Sequence, residues 1–391
     1  MNTATRERTF LGYKRQQGQP GIRNTLLILN VSGLTQPAAR KIQAALSGAV
    51  MVSMPHGNAI TGDNDTQVDA ILLNLAANPN VGAVLVLSSD ERRAPLFQEL
   101  LSDYGKPCKY LSLGDCDRDI ITFTQCAIRM AARLSIEISR QPREICALSE
   151  LTLGLQCGMS DPSSGIAANP LLGILSDAHV DTGGTVIFSE TAEWLGSEKA
   201  VADRAISKPV SDAIMNSVTR RERLAVAAKI DLLGNNPNQA NIDSGLSTIE
   251  DKAIGSIAKS GSQPITSLLK FAERPATAGL HAMDGPSFSP ESLTGLVATG
   301  AQIMLFTTGC GNSYVSALCP TIKITANPTV ASTLGDQIDF DCSGLLTSDL
   351  TLDAARTRLQ DEISAIASGA LTLGEVLLEG DEVICRFGES L

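Results

Sequence analysis

The first third of the chain alternates between two hydrophobic periods. Residues 25–33 (TLLILNVSG), 50–54 (VMVSM), 81–89 (VGAVLVLSS) and 108–113 (CKYLSL) are short apolar runs bounded by turn residues. Runs of that length and composition predict buried strands. Between them the spacing is helical. Gln36 to Leu46 places Ile42, Ala45 and Leu46 on one face. Val68, Ile71, Leu72 and Leu75 share another, behind a capping box from Thr66 to Asp69. Ala94 to Leu101 and Ile120 to Ile138 complete the helices, and Asn78-Pro-Asn80 stops the second of them. Strand and helix in alternation predict parallel strands joined by crossover helices. The expected fold class is α/β, with an N-terminal Rossmann-like open parallel sheet over residues 1–140. No GxGxxG is present, so dinucleotide binding has no motif behind it.

From Gln141-Pro-Arg-Glu onward the texture changes, and residues 141–391 read as a larger mixed α/β domain. Short strands are expected at 151–155, 185–190, 301–309 and 321–327. Helices are expected from Val210 to Lys229, Thr248 to Ala258 and Leu352 to Ala367. Three polar stretches read as loops: Gly234 to Gly245, rich in Asn; Gly279 to Pro286; and the acidic turn Asp336 to Gly344.

Composition narrows the function classes. The 391 residues are 43% hydrophobic and 19% charged, with a net charge of −11. An acidic balance argues against nucleic acid, whose partners carry a basic face. Residues 1–24 hold five basic side chains and one acidic, with no apolar core of a signal peptide. No apolar run is long enough to span a membrane, so a cytoplasmic location is expected. Nine irregularly spaced cysteines contain no CxxC and predict no disulfide framework. Most should be buried fillers. Cys157 and Cys310 stand apart, each beside Gly in a polar loop.

Leu155 to Pro170 (LQCGMSDPSSGIAANP) concentrates a thiol, a carboxylate, hydroxyls, an amide and glycines directly after a predicted strand. Ser189-Glu190, with Glu193 close behind, and Thr307-Thr308 also follow predicted strands. Ligands of open α/β sheets gather at the carboxyl ends of strands. If these strands are neighbours, one site contains Cys157, Asp161, Glu190, Glu193 and Thr308, and the Asn-rich loop could close over it. Its oxygen donors suit Mg²⁺, Mn²⁺ or Ca²⁺, whereas a thiolate shifts preference toward Fe²⁺ or Zn²⁺. Of the three histidines, His56, after a strand and beside Gly, is the best acid–base candidate. No nucleophile elbow or P-loop is present.

These motifs, in this order, resemble the altronate hydrolase/galactarate dehydratase family, which also holds the large subunit of sulfolactate sulfo-lyase. The resemblance runs through Gly12 to Gly18 with Gly21 to Asn24, then Asn78 to Val86, then Leu155 to Asp161 with Ser164-Gly165 and Ala168 to Pro170. It continues through Ser189-Glu190 and Glu193, Gly245 to Lys252, Met283-Asp284, and Thr307 to Gly309 with Pro320, Lys323 and Asn327. The family's cysteines after the second and central strands are replaced here by Pro55 to Ala59 and Ser88 to Glu91.

The resemblance implies a hydro-lyase that converts an aldonate or aldarate to a 2-keto-3-deoxy acid, and a divalent metal, commonly Fe²⁺. It also implies a small domain with a His motif. The chain starts at the family's opening motif, so a separate small subunit is expected to supply that domain, within a homo-oligomer. On this reading Glu190, Glu193, Asp161 and His56 do acid–base work, and Cys157 and Glu190 hold the metal. Arg15, Arg23, Ser164, Asn169, Thr307 and Thr308 bind the sugar acid; a guanidinium would grip its carboxylate bidentately. The competing readings are a sulfo-lyase large subunit, a non-catalytic binding or partner subunit, and a nucleotide-binding α/β protein.

Overall fold

In the computed structural model the structure describes residues 8–56, 63–233 and 236–384. Strand β1 (Thr9–Gly12) precedes β2 (Thr25–Asn30), β3 (Ala49–Ser53), β4 (Val81–Ser88) and β5 (Cys108–Ser112). The last four form one parallel sheet in the order β3-β2-β4-β5. Period two is visible in its packing. Leu27, Leu29, Val84 and Val86 enter one core, and Leu26, Ile28, Ala83 and Leu85 enter the other. Full burial of a Leu or Val side chain contributes about 1.5–3 kcal/mol. The helix predicted behind Thr66 spans Asp63–Ala77; the Thr66 side chain lies outside the described residues.

After β6 (Glu144–Ala147), antiparallel to β1, come β7 (Thr152–Cys157), β8 (Thr185–Phe188), β9 (Ile265–Leu269), β10 (Gly279–Met283), β11 (Ile303–Thr307), β12 (Val315–Ser316), β13 (Thr321–Thr325), β14 (Phe340–Asp341) and β15 (Gly380–Asp381). Seven of them form a parallel sheet in the order β14-β13-β11-β7-β8-β10-β9. From β7 the chain moves one way, to β8; from β11 it moves the other way, to β13. The carboxyl ends of β7 and β11 therefore flank the switch point of the sheet, the crevice where α/β folds bind ligands. Met304 and Phe306 of β11 share a core with Leu27, Leu29, Val84 and Val86, so the two sheets are packed through common apolar layers.

Two expectations are corrected. Gly279 to Pro286, read as a loop, begins with the buried strand β10, paired on both sides. Its Gly and polar His281 masked the pattern. The ring of His281 is buried because Ser267 and the Thr277 carbonyl meet both its nitrogens. The Asn-rich stretch contains a helical turn, Gln239–Asp243, capped by the Asn238 side chain; its residues 234–235 lie outside the described set. No helix of the described residues is long and apolar enough to cross a membrane. The eight described cysteines are all free.

The segment after β15 buries the carboxyl of Glu382, which accepts hydrogen bonds from Thr294 and Ser316. Burial pushes this carboxyl up from 4.5 to about 7. A raised folded pKa means that the folded state holds the proton more tightly. Stability is then complete below pH 4.5 and is lost as pH rises to about 7. Glu382→Gln is expected to raise the melting temperature at pH 8, by the equivalent of about 2–3 kcal/mol. The advantage should vanish near pH 4.5 in melts across that range.

Candidate active site

The tip of β7 carries Gln156 and Cys157, and the turn after β8 carries Glu190 and then Glu193. Glu190 has φ 78° and ψ 55°, the left-handed region that side chains other than Gly rarely occupy. Strain of this kind is retained where the surroundings fix it, and it concentrates at functional sites. From the opposite side the helix Ile249–Ile257 runs into a turn at Ala258–Ser260. The hydroxyl of Thr248 caps this helix by accepting the Asp251 N–H. Lys252, Ser256 and Lys259 lie at helical spacing, facing the strand tips. The helix comes this close because glycine meets glycine. A Cβ added to Gly255 would lie 3.1 Å from the Gly165 Cα.

The result is a buried group of ionisable side chains. Cys157 Sγ lies 3.6 Å from Glu190 Oε2 and 3.3 Å from Glu193 Oε2. Lys259 Nζ donates to Glu190 Oε2 at 2.7 Å, to Cys157 Sγ at 3.2 Å and to Ser256 Oγ at 2.7 Å. Lys252 Nζ meets Glu193 Oε1 at 2.8 Å and Asn236 Oδ1 at 2.5 Å. Gln156 Nε2 donates to Glu190 Oε1 at 2.5 Å, and the Cys157 N–H reaches Oε2 at 3.3 Å. Glu190 and Lys259 are 0% exposed.

Environment pushes the two carboxyls apart. Burial pushes Glu190 above the usual carboxyl range, against the pull of Lys259. Burial also works on Glu193, but Lys252 and Lys259 outweigh it and hold Glu193 below the usual range. Burial, then the neighbouring glutamates, drives the Cys157 thiol upward.

Cys157, Glu190 and Glu193 offer ligand atoms within 4.8 Å of one another, a grouping compatible with a divalent metal. Metal bonds of about 2.3 Å to sulfur and 2.0–2.2 Å to oxygen place such ligands roughly 3–4 Å apart. The observed S···O separations of 3.3 and 3.6 Å meet that test. Gln156 Oε1, buried beside them, has no hydrogen-bond partner among the described residues. This is the orphan expected where a further group binds.

The remaining predicted residues are placed differently. Asp161 Oδ1 accepts from Ser163 Oγ, Ser164 N and Ser164 Oγ, and its Oδ2 accepts from Asn327. It thus braces the β7 loop and makes no recorded contact with the thiol. Asn169 links Thr307, whose hydroxyl it accepts at 2.6 Å, to the Gly255 carbonyl of the lysine-bearing helix. Thr308 accepts the Gly311 N–H. His56 lies half-buried in the loop after β3, at the other sheet. Arg15 spends its N–H groups on Pro79 O, Arg23 O, Asn24 and Gln141. Arg23 grips a carboxylate bidentately, but that of Glu375, at 2.7 and 2.8 Å.

Sequence reasoning missed Gln156, Lys252, Ser256 and Lys259 as members of the group. The signal was present as a polar stripe on an otherwise amphipathic helix. Asp284, just past β10 and named in the family resemblance, accepts from Thr191 beside Glu190 and pairs with Arg220 and Arg221.

A parallel α/β sheet with a buried thiol, two carboxylates and two ammonium groups at its strand tips has the architecture of an enzyme centre. Two family models match the chain. One, described as D-galactarate dehydratase/Altronate hydrolase, second domain, matches residues 12–139. The other, described as D-galactarate/Altronate dehydratase, C-terminal, matches residues 148–390. The chain belongs to the D-galactarate/altronate dehydratase family, whose named members are lyases. It is 32% identical over 386 residues to the (2R)-sulfolactate sulfo-lyase subunit beta of Chromohalobacter salexigens, covering 98% of each chain. It is 30% identical to the altronate dehydratase of Escherichia coli, covering 93% of this chain and 74% of that one. It is 33% identical to the galactarate dehydratase (L-threo-forming) of Escherichia coli, covering 62% of this chain and 46% of that one.

Proposed function

We propose that the chain is a metal-dependent hydro-lyase that removes water from an aldonate or aldarate to give a 2-keto-3-deoxy acid. The observation that carries this reading is the buried Cys157–Glu190–Glu193 group at the sheet tips of a chain matched by this family along most of its length. Cys157, Glu190 and Glu193 would hold the divalent ion, and the thiol favours Fe²⁺ over Mg²⁺, Mn²⁺ or Ca²⁺. Such an ion supplies a Lewis acid for the substrate carboxylate.

The protein's own groups do the rest. Gln156 orients Glu190, and Lys252 keeps Glu193 ionised. Glu190 and Glu193 are the carboxylates assigned to proton work, with Asp161 and His56 as the further acid–base candidates. Asp161 serves chiefly to shape the loop that bears Cys157. Asn236, bonded to Lys252 and to the Ala192 carbonyl at 3.0 Å, pins the Asn-rich loop over the group. The division near residue 140 belongs to the same reading, with the second part carrying the chemistry.

A second reading has one observation in its favour: the match covering 98% of each chain is to a protein named as a sulfo-lyase subunit. There the leaving group is sulfite and a separate small subunit takes part. One screen separates the two. Protein purified without oxygen is offered aldonates, aldarates and sulfolactate, with and without Fe²⁺, and keto acid and sulfite are both assayed. Keto acid from a sugar acid without sulfite is the expected result. Sulfite release favours the second reading, and no product from any substrate overturns both.

A further inference from the structure

Two carboxyl groups, a thiol and two lysine ammonium groups share one buried centre. A dication bound there would sit beside both ammonium groups in a largely buried place, where like charges repel most strongly. One ammonium group must therefore give way, and the individual oxygens decide which. Lys259 Nζ bonds Glu190 Oε2 at 2.7 Å and Cys157 Sγ at 3.2 Å, so it holds two of the three donors. Lys252 Nζ bonds Glu193 Oε1 at 2.8 Å, whereas the oxygen that faces the sulfur at 3.3 Å is Oε2. A metal held by Glu193 and Cys157 would not take the oxygen that Lys252 holds. A metal held by Glu190 and Cys157 would compete with Lys259 for both side chains.

We infer that Lys259 is an internal counter-cation that gathers the three donors when no metal is bound and is displaced by the metal, while Lys252 stays and positions Glu193. The inference rests on the metal reading above. Ser256 Oγ, 2.7 Å from Lys259 Nζ and 3.5 Å from Cys157 Sγ, anchors the lysine on the donors.

The test is a Co²⁺ titration of the full chain, read by thiolate-to-cobalt absorption and by melting temperature. Wild type is expected to show a thiolate band that Cys157→Ser lacks. Lys259→Met should bind Co²⁺ at least tenfold more tightly, and Lys252→Met more weakly. Without metal Lys259→Met should melt lower than wild type, and saturating Co²⁺ should close most of that gap. Ser256→Ala keeps the ammonium group and should tighten binding severalfold even if Lys259→Met fails to fold. A wild-type band with unchanged affinity in Lys259→Met and Ser256→Ala overturns this inference alone. A band absent from wild type and from both variants overturns the metal reading with it. A band that appears only in Lys259→Met supports the displacement in its strongest form.

Discussion

Glu190→Gln is expected to lower turnover by about 1,000-fold or more, within the range for removing a positioned acid–base group. The amide cannot carry a proton to or from substrate. It also cannot accept from every present donor, because one of its two ends becomes an NH₂ facing Gln156 or Lys259. Stability falls as well. Lys259, fully buried, loses its anionic partner, and breaking such a pair on one side costs about 3–5 kcal/mol. The two effects separate in a cycle with Lys259→Met. The double variant removes both charges and should melt above either single one, while its turnover stays at the Glu190→Gln level. Keto-acid formation, measured well below each melting temperature, is the check. A Glu190→Gln protein with more than a tenth of wild-type turnover removes Glu190 from the reaction.

Why this centre was partly legible in the chain is a matter of range. Cys157, Glu190 and Glu193 stand directly after strand-like runs, and parallel sheets bring strand tips to one edge. That rule needs no knowledge of partners. The lysines come from a helix about a hundred residues beyond Cys157. Only its polar stripe announces them, and a stripe does not say what it faces. Arg23 shows the converse. Its guanidinium is expected to grip the substrate carboxylate bidentately, and in the structure it grips the carboxylate of Glu375, whose approach depends on the whole fold. Asp161 stands in the loop after β7, where the sequence expects acid–base work, and its bonding partners are not visible from its position alone. Ser163 and Ser164 satisfy one of its oxygens, and Asn327 supplies the last donor. The strand β10 escaped notice because burial of His281 is licensed by tertiary partners, which periodicity does not see.

Asn78 and Asn80 read as the end of a helix and the start of a family-like strand, yet the second-largest effect is expected from them. Asn78 Nδ2 donates to the carbonyls of Val297 and Ala301 at 2.8 and 2.9 Å. Asn80 Nδ2 donates to those of Gln302 and Leu318 at 2.9 and 3.1 Å, and its Oδ1 accepts the Ile22 N–H. Both side chains are fully buried, and they tie the start of β4 to the segments around β11 and β13 of the other sheet. Asn80→Ala takes the donor from the Gln302 and Leu318 carbonyls and the acceptor from the Ile22 N–H. Asn78→Ala takes the acceptor from the Asn80 N–H and leaves the Val297 and Ala301 carbonyls only the Gly300 N–H and the Cys319 thiol. Each group left unpaired costs about 1–3 kcal/mol, so Asn80→Ala should lose about 3 kcal/mol or more and Asn78→Ala slightly less. Because these bonds join the two sheets, the transition should also broaden, with a smaller denaturant slope, as the sheets begin to unfold separately. Asn80→Asp keeps the acceptor and the shape but loses the donor, so it should be no better than Ala. Urea unfolding followed by tryptophan fluorescence and circular dichroism is the measurement. Trp194, the single tryptophan, sits in the core of the seven-stranded sheet and reports on that half alone. Coincident, sharp transitions shifted by less than about 0.5 kcal/mol, the ordinary range of a surface substitution, would show that the turn does not hold the halves together.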